Sequence, residues 1–173
     1  DDMPFLVDSL SMAIRDTGAP IDWLVHPIMA VARNGGRWDV LADDGETESL
    51  THIEFEPFPQ TSAYAALEAT VAGLIADIRV IVDDFSAMRT KVVELAEQLA
   101  GVNANDTAED GGEAAAFLRW LEDGHFTFLG CIETDVVSGD DGRARFEVRS
   151  DAELGLARAG KRYADADPLI ARR

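Results

Sequence analysis

A chain of 173 residues with 47% hydrophobic content has the length and apolar fraction to bury a core, in one generous domain or two small ones. A formal net charge of −18 repels nucleic-acid phosphates and anionic lipid, which excludes both as partners. The single cysteine, Cys131, allows no intramolecular disulfide and no cysteine metal cluster; together with the lack of a membrane-length apolar run or a leading signal, it predicts a cytoplasmic protein.

The opening, DDMPFLVDSLSMAIRDTG, reads as a turn and a helix. Phe5, Leu6, Leu10, Ala13 and Ile14 recur at helical spacing, and Gly18 supplies a stop. A chain that opens in mid-motif is expected to be a piece of a longer polypeptide whose first strand lies upstream. Asp1, Asp2 and Asp8 stand where the helix dipole favours carboxylates, and Asp1 or Asp2 is the expected cap. The alternative at the same place is a small effector near Met3, Asp8 and Ser9, because free N–H groups at a helix start attract anions.

Residues 21–33, IDWLVHPIMAVAR, read as a strand. Trp23, Val25, Met29 and Val31 share one face; Leu24, His26, Ile28, Ala30 and Ala32 share the other. Both faces are apolar, and Pro27 argues for an edge or a bulge. After a turn-rich link, residues 49–58 read as a second strand. An antiparallel hairpin centred near Asp39 would set His26 opposite His52 and Trp23 opposite Phe55. Apolar spacings of three and four then persist over residues 62–100, a helix long enough to suggest a break at Asp83-Asp84. A polar linker over 102–112 precedes a short helix over 113–122, a strand over 125–137, a turn at Gly139–Gly142 and a return strand over 143–149. The tail to Arg173 is polar.

The chemistry-bearing patterns are few. Neither GxGxxG nor GxxxxGK[ST] occurs, so dinucleotide binding has no support, and no Ser-centred nucleophile elbow occurs. His26 and His52, with Glu54 or Asp22, would make a metal site only if the hairpin brought them together. Two histidines on a half-covered strand face are the simpler reading, and His125 reads as a turn residue with local hydrogen bonds. No catalytic, metal or cofactor residue is assigned. The residues themselves describe an α+β interaction or ligand-sensing module.

Five pieces in order carry a resemblance: DDMPFLVDSLSMAI, LVHPIMAVAR, ESLTHIEFE, ADIRVIVDDFSAMR and EAAAFLRWLEDGHFTFLGCIE. Together they resemble the N-terminal ACT-domain region of the large bacterial NAD-specific glutamate dehydrogenases. The resemblance covers residues 1 to about 159, and FLRWLEDGHFTFLG is its most specific part. It implies an ACT-like, ferredoxin-like βαββαβ unit over residues 1–82, its first strand upstream, then a helical connector over 83–112 and the start of a second α+β unit over 113–173. It further implies a parent enzyme that oxidises L-glutamate with NAD, with the cofactor and the chemistry far downstream and none in this segment. The segment would serve regulation and homo-oligomeric assembly, through other domains and subunits or an amino-acid effector. One departure concerns the first loop, Asp1-Asp2-Met3-Pro4-Phe5, which lacks the glycine that amino-acid-binding ACT modules commonly carry there. That favours a packing module in which Leu24, Ile28, Ala30 and Ala32 cover a partner.

Overall fold

The computed structural model describes residues 2–35, 37–40, 45–101, 109–138, 144–149 and 152–160. The protein is α+β and forms two compact units, Asp1–Arg79 and Val80–Arg173.

The first unit opens with α1 (Leu6–Arg15), as its apolar spacing predicts: Leu6, Leu10 and Ile14 are buried, and the helix ends before Gly18, which takes φ 84°. Its start differs from expectation. No side chain caps it; Phe5 occupies the cap position in the left-handed conformation, φ 67°, and its carbonyl accepts the Ser9 N–H at 2.9 Å. Asp1 lies outside the described residues, and the Asp2 carboxylate goes instead to His26.

The long strand expected over 21–33 is two strands, β1 (Ile21–Val25) and β2 (Ile28–Asn34), interrupted at His26-Pro27. Pro27 has no N–H for a ladder, so pairing lapses there and resumes on either side. The second expected strand is likewise divided, into β4 (Glu46–Ser49) and β5 (His52–Phe55). Between them the link contains β3 (Arg37–Val40), so the connection is no simple turn. β1 pairs β5 antiparallel, and β2 lies between β3 and β4, antiparallel to both. The register is one residue away from the expected one: Val25, not His26, faces His52, and Trp23 faces Glu54, with an irregularity between Ile21 and Trp23. The same offset runs through β2 and β4, where Ile28 faces Ser49. Val31, in the middle of the three-stranded sheet, and Ile78 are buried with the α1 stripe and Ala19.

Residues 62–101 form a single helix, α2 (Ser62–Gly101), with no break at Asp83-Asp84. At its start Phe58 lies between Phe55 and Tyr64, ring centroids 5.4 and 5.0 Å away, and donates its N–H to the Tyr64 hydroxyl at 3.1 Å.

In the second unit Ile81, Met88 and Ala96 are buried along α2. The next helix, α3 (Glu109–Trp120), starts four residues earlier than expected and runs into a π-type turn, Leu121–His125, where His125 Nδ1 donates to the Trp120 carbonyl at 2.9 Å. The strand expected over 125–137 is confined to β6 (Gly130–Cys131) and β7 (Thr134–Ser138). β8 (Ala144–Val148) pairs β7 from Thr134↔Val148 to Ser138↔Ala144, as the hairpin reading predicts; its turn lies outside the described residues. The tail contributes a strand that sequence reading missed, β9 (Leu154–Gly155), paired with β6. Gly155 has φ 60°, and a Cβ there would stand 2.4 Å from the Leu129 carbonyl oxygen, so only glycine fits. Its N–H donates to Asp84 Oδ2 of α2 at 2.7 Å, and Arg158 Nε and Nη2 reach the same carboxylate at 2.9 and 3.1 Å. The Gly155 N–H, then Arg158, hold the Asp84 carboxyl below the usual carboxylate range against the opposing effect of burial.

Two measurements check this account. At a left-handed position glycine outdoes alanine, so Phe5→Gly is expected to be about 1 kcal/mol more stable than Phe5→Ala in urea denaturation. Asp84→Asn is expected to lose about 1–2 kcal/mol at neutral pH. Because folding lowers the Asp84 pKa, its contribution is complete above the unfolded value of about 4 and disappears as pH falls through the lower folded one. The gap between wild type and Asp84→Asn therefore closes on acidification, which denaturation at pH 7 and near pH 3 would reveal.

Candidate functional site

The ladder break and the start of α1 meet in the first unit. The Pro27 carbonyl accepts the Leu50 N–H at 3.0 Å, which keeps the strands together across the gap. His26 Nδ1 hydrogen-bonds with Thr51 Oγ1 at 2.8 Å, and Nε2 contacts Asp2 Oδ1 at 3.2 Å. Both ring nitrogens are thereby engaged, which leaves neither for a metal and makes the trio a fastening of the opening loop to the strand break. His52 faces Val25 and pairs with Glu54 on the exposed face of its own strand, Nε2 to Oε1 3.0 Å. The two histidines are thus not brought together, and the described residues contain no group of three His, Cys, Asp or Glu that could hold a metal ion.

Met3 and Ser9 are half-buried at the start of α1, and Asp8 is exposed. The Leu6 N–H goes to the Met3 carbonyl at 3.4 Å and the Ser9 N–H to Phe5, so these two donors are already used. The four strand residues singled out for packing are divided between two sheets: Leu24 lies on β1 opposite Ile53, whereas Ile28, Ala30 and Ala32 lie on β2. Ile28 is 54% exposed and the other three are half-buried. Trp23, assigned to the opposite face, is 60% exposed.

The second unit holds a cleft of about 350 Å³ that sequence reasoning missed, between α2 and the segment that runs from β6 into β7. Val92, Leu95 and Ile132 supply its apolar surface. Glu133 crosses it, pairing with Lys91 on one side and with Arg149 Nη1 at 3.5 Å on the other; Arg149 Nε also donates to Asp135 Oδ2 at 2.8 Å. The Glu133 hydrogen bond raises the Lys91 pKa, and Arg149 lowers that of Asp135. Burial, aided by Glu133 and opposed by Lys91, raises the Cys131 thiol, so this cysteine is a poor nucleophile. With each cation matched to a carboxylate, the cleft joins strand to helix. The one signal for it was Lys91 itself, a rare lysine on an acidic chain.

All strand pairs among the described residues are antiparallel, and Met3-Pro4-Phe5, not a glycine-rich turn, leads into α1. These residues do not fit a dinucleotide pyrophosphate. No helix among them is long and apolar enough to cross a membrane.

Residues 1–71 match the family described as the ACT1 domain of glutamate dehydrogenase. The NAD-specific glutamate dehydrogenase of Pseudomonas aeruginosa is 34% identical over 165 residues, which is 91% of this chain and 10% of that protein. That of Halomonas elongata is 32% identical over 166 residues, again 91% of this chain and 10% of the relative. That of Mycobacterium tuberculosis is 23% identical over 143 residues, 78% of this chain and 9% of the relative. The chain spans about a tenth of the length of these curated relatives. An ACT1 match across most of the first unit, and relatives whose similarity continues through the second, place the chain in the NAD-specific glutamate dehydrogenase family, as the N-terminal, ACT1-bearing region of such a protein.

Proposed function

We propose that this chain is a non-catalytic regulatory and assembly segment of a cytoplasmic, homo-oligomeric NAD-dependent glutamate dehydrogenase. The whole protein would convert L-glutamate, NAD+ and water into 2-oxoglutarate, ammonium and NADH, with the cofactor bound outside this segment. What carries the assembly reading is the set of large apolar side chains left uncovered on the first unit's strands, chiefly Trp23 and Ile28. Strand residues of this kind are expected to be covered by another domain or subunit. Ala30 and Ala32 would extend the contact made by Ile28 on β2, with Leu24 adding to it from β1; Trp23 would be covered separately, on the opposite face.

The second reading is an amino-acid effector site at Met3, Asp8 and Ser9 in an ACT-like βαββαβ unit. The conformation of Phe5 argues against it. A left-handed residue at the mouth of the helix is where glycine would leave room for a ligand, and here a phenylalanine side chain occupies it.

In the full-length enzyme Ile28→Asp is expected to lower the native mass and to reduce glutamate-dependent NAD reduction at least about tenfold. The same change in the isolated chain should shift stability by no more than about 0.5 kcal/mol, as for other exposed positions. Light scattering and a rate assay on the enzyme, with denaturation of the isolated chain as control, check this. An intact oligomer with unchanged rate sinks the assembly reading. Titration calorimetry with amino acids tests the other: saturable heat that Asp8→Ala abolishes would establish the effector site instead.

A further inference from the structure

The helix α3 is packed inside out. Its closest approach to its surroundings is made by small residues beside the half-buried Leu118: Ala115 is fully buried, and Gly111 lies so close to α2 that a Cβ would stand 3.2 Å from the Leu99 carbonyl oxygen. Its largest apolar side chains face water: Phe117 is 56% exposed and Trp120 49%. These rings are nonetheless ordered against one another. Phe117 stacks on Trp120 with centroids 6.0 Å apart, and Trp120 stacks on His125 at 4.4 Å, the imidazole fixed by its bond to the Trp120 carbonyl. Rigid aromatic rings of this kind are typical anchors of protein interfaces.

At 3.6 residues per turn the outer half of α3 presents Glu113, Ala116, Phe117, Trp120 and, at its margin, Arg119. Neither Glu113 nor Arg119 has a partner among the described residues. Ala116 lies midway between them in sequence. A second α3 laid antiparallel across Ala116 therefore sets Glu113 of each copy beside Arg119 of the other, twice, by symmetry. Gly112 and Ala116 leave room for the two backbones to approach, and Phe117 and Trp120 flank the crossing. This is the self-complementarity an isologous twofold contact requires.

We infer that the outer face of α3 is a docking surface for a second copy of this chain. The inference rests on the assembly reading above and gives it a location in the second unit, beyond the ACT1 match. The opposing net charges of −18 are screened over about 8 Å at physiological salt, so the local pairs decide the contact. Half-exposed Phe117 and Trp120 offer roughly 200 Å² per copy, against the ~800 Å² per partner of a standard interface, so the dimer of the isolated chain is weak.

Sedimentation velocity on the whole chain in about 0.15 M NaCl tests this. Wild type is expected to pass from monomer to dimer between about 1 and 500 μM. Arg119→Glu and Glu113→Arg should each weaken the dimer at least about tenfold, and the double exchange should restore it to within about threefold. Glu113→Arg is the telling variant, since it reduces the net charge and would strengthen any unspecific association. Circular dichroism confirms that each variant is folded. A chain monomeric at every concentration, or a dimer indifferent to the single exchanges, overturns the inference. If the chain stays monomeric while Ile28→Asp still dissociates the full enzyme, this face is refuted and the assembly reading stands. If the dimer follows the charge exchanges while Ile28→Asp leaves the enzyme intact, the first-unit contact is lost and this face remains.

Discussion

The second unit depends on one carboxylate. Asp84 projects from α2 with its side chain 15% exposed and accepts from a backbone N–H and from two nitrogens of a guanidinium. Burying a charge to that degree is tolerable only because those donors replace the lost water. The Gly155 N–H it holds belongs to β9, whose ladder with β6 is two residues long and too short to persist alone. From β6 the chain passes directly to Glu133, which returns to α2 at Lys91. Asp84 and Lys91 are seven residues apart, two helical turns, with buried Met88 between them. The strands of this unit are therefore pinned to the helix by two polar fixings either side of an apolar one.

That arrangement explains which parts of the fold could be read from residues. Where one face of an element meets an apolar core, periodicity was informative: α1 with Leu6, Leu10 and Ile14 was visible, and so was α2 apart from the break expected at Asp83-Asp84, whereas the β7–β8 hairpin was marked by the turn residues Gly139–Gly142. β9 was invisible because two residues have no period, and its placement comes from an acceptor far away in sequence. Pro27 was read as a sign of an edge or a bulge within one strand, and the structure makes it a full break between β1 and β2. The register differs by one residue from that of a hairpin centred near Asp39, and the link holds β3 where a turn was expected.

The candidate sites divide in the same way. Met3, Asp8 and Ser9 were found because a helix start is a local feature, yet the left-handed Phe5 beside them was not, since nothing in a phenylalanine signals positive φ. The cost of that conformation, about 1–2 kcal/mol, is carried by the stripe it introduces into the first unit. The cleft at Lys91 escaped notice for a different reason. Hydrophobic-in patterning assumes that the covered side of a strand is apolar, and here the covered side bears Glu133.

The closure of Asp84 on Gly155 and Arg158 spans 71 and 74 residues of chain. During synthesis α2 is complete long before its partners exist, since its own bonds are local while this closure is not. Until residue 158 has left the ribosome, the Asp84 carboxylate lacks the Arg158 guanidinium and remains more hydrated. The second unit therefore closes only when Gly155 and Arg158, 71 and 74 residues after Asp84, have emerged.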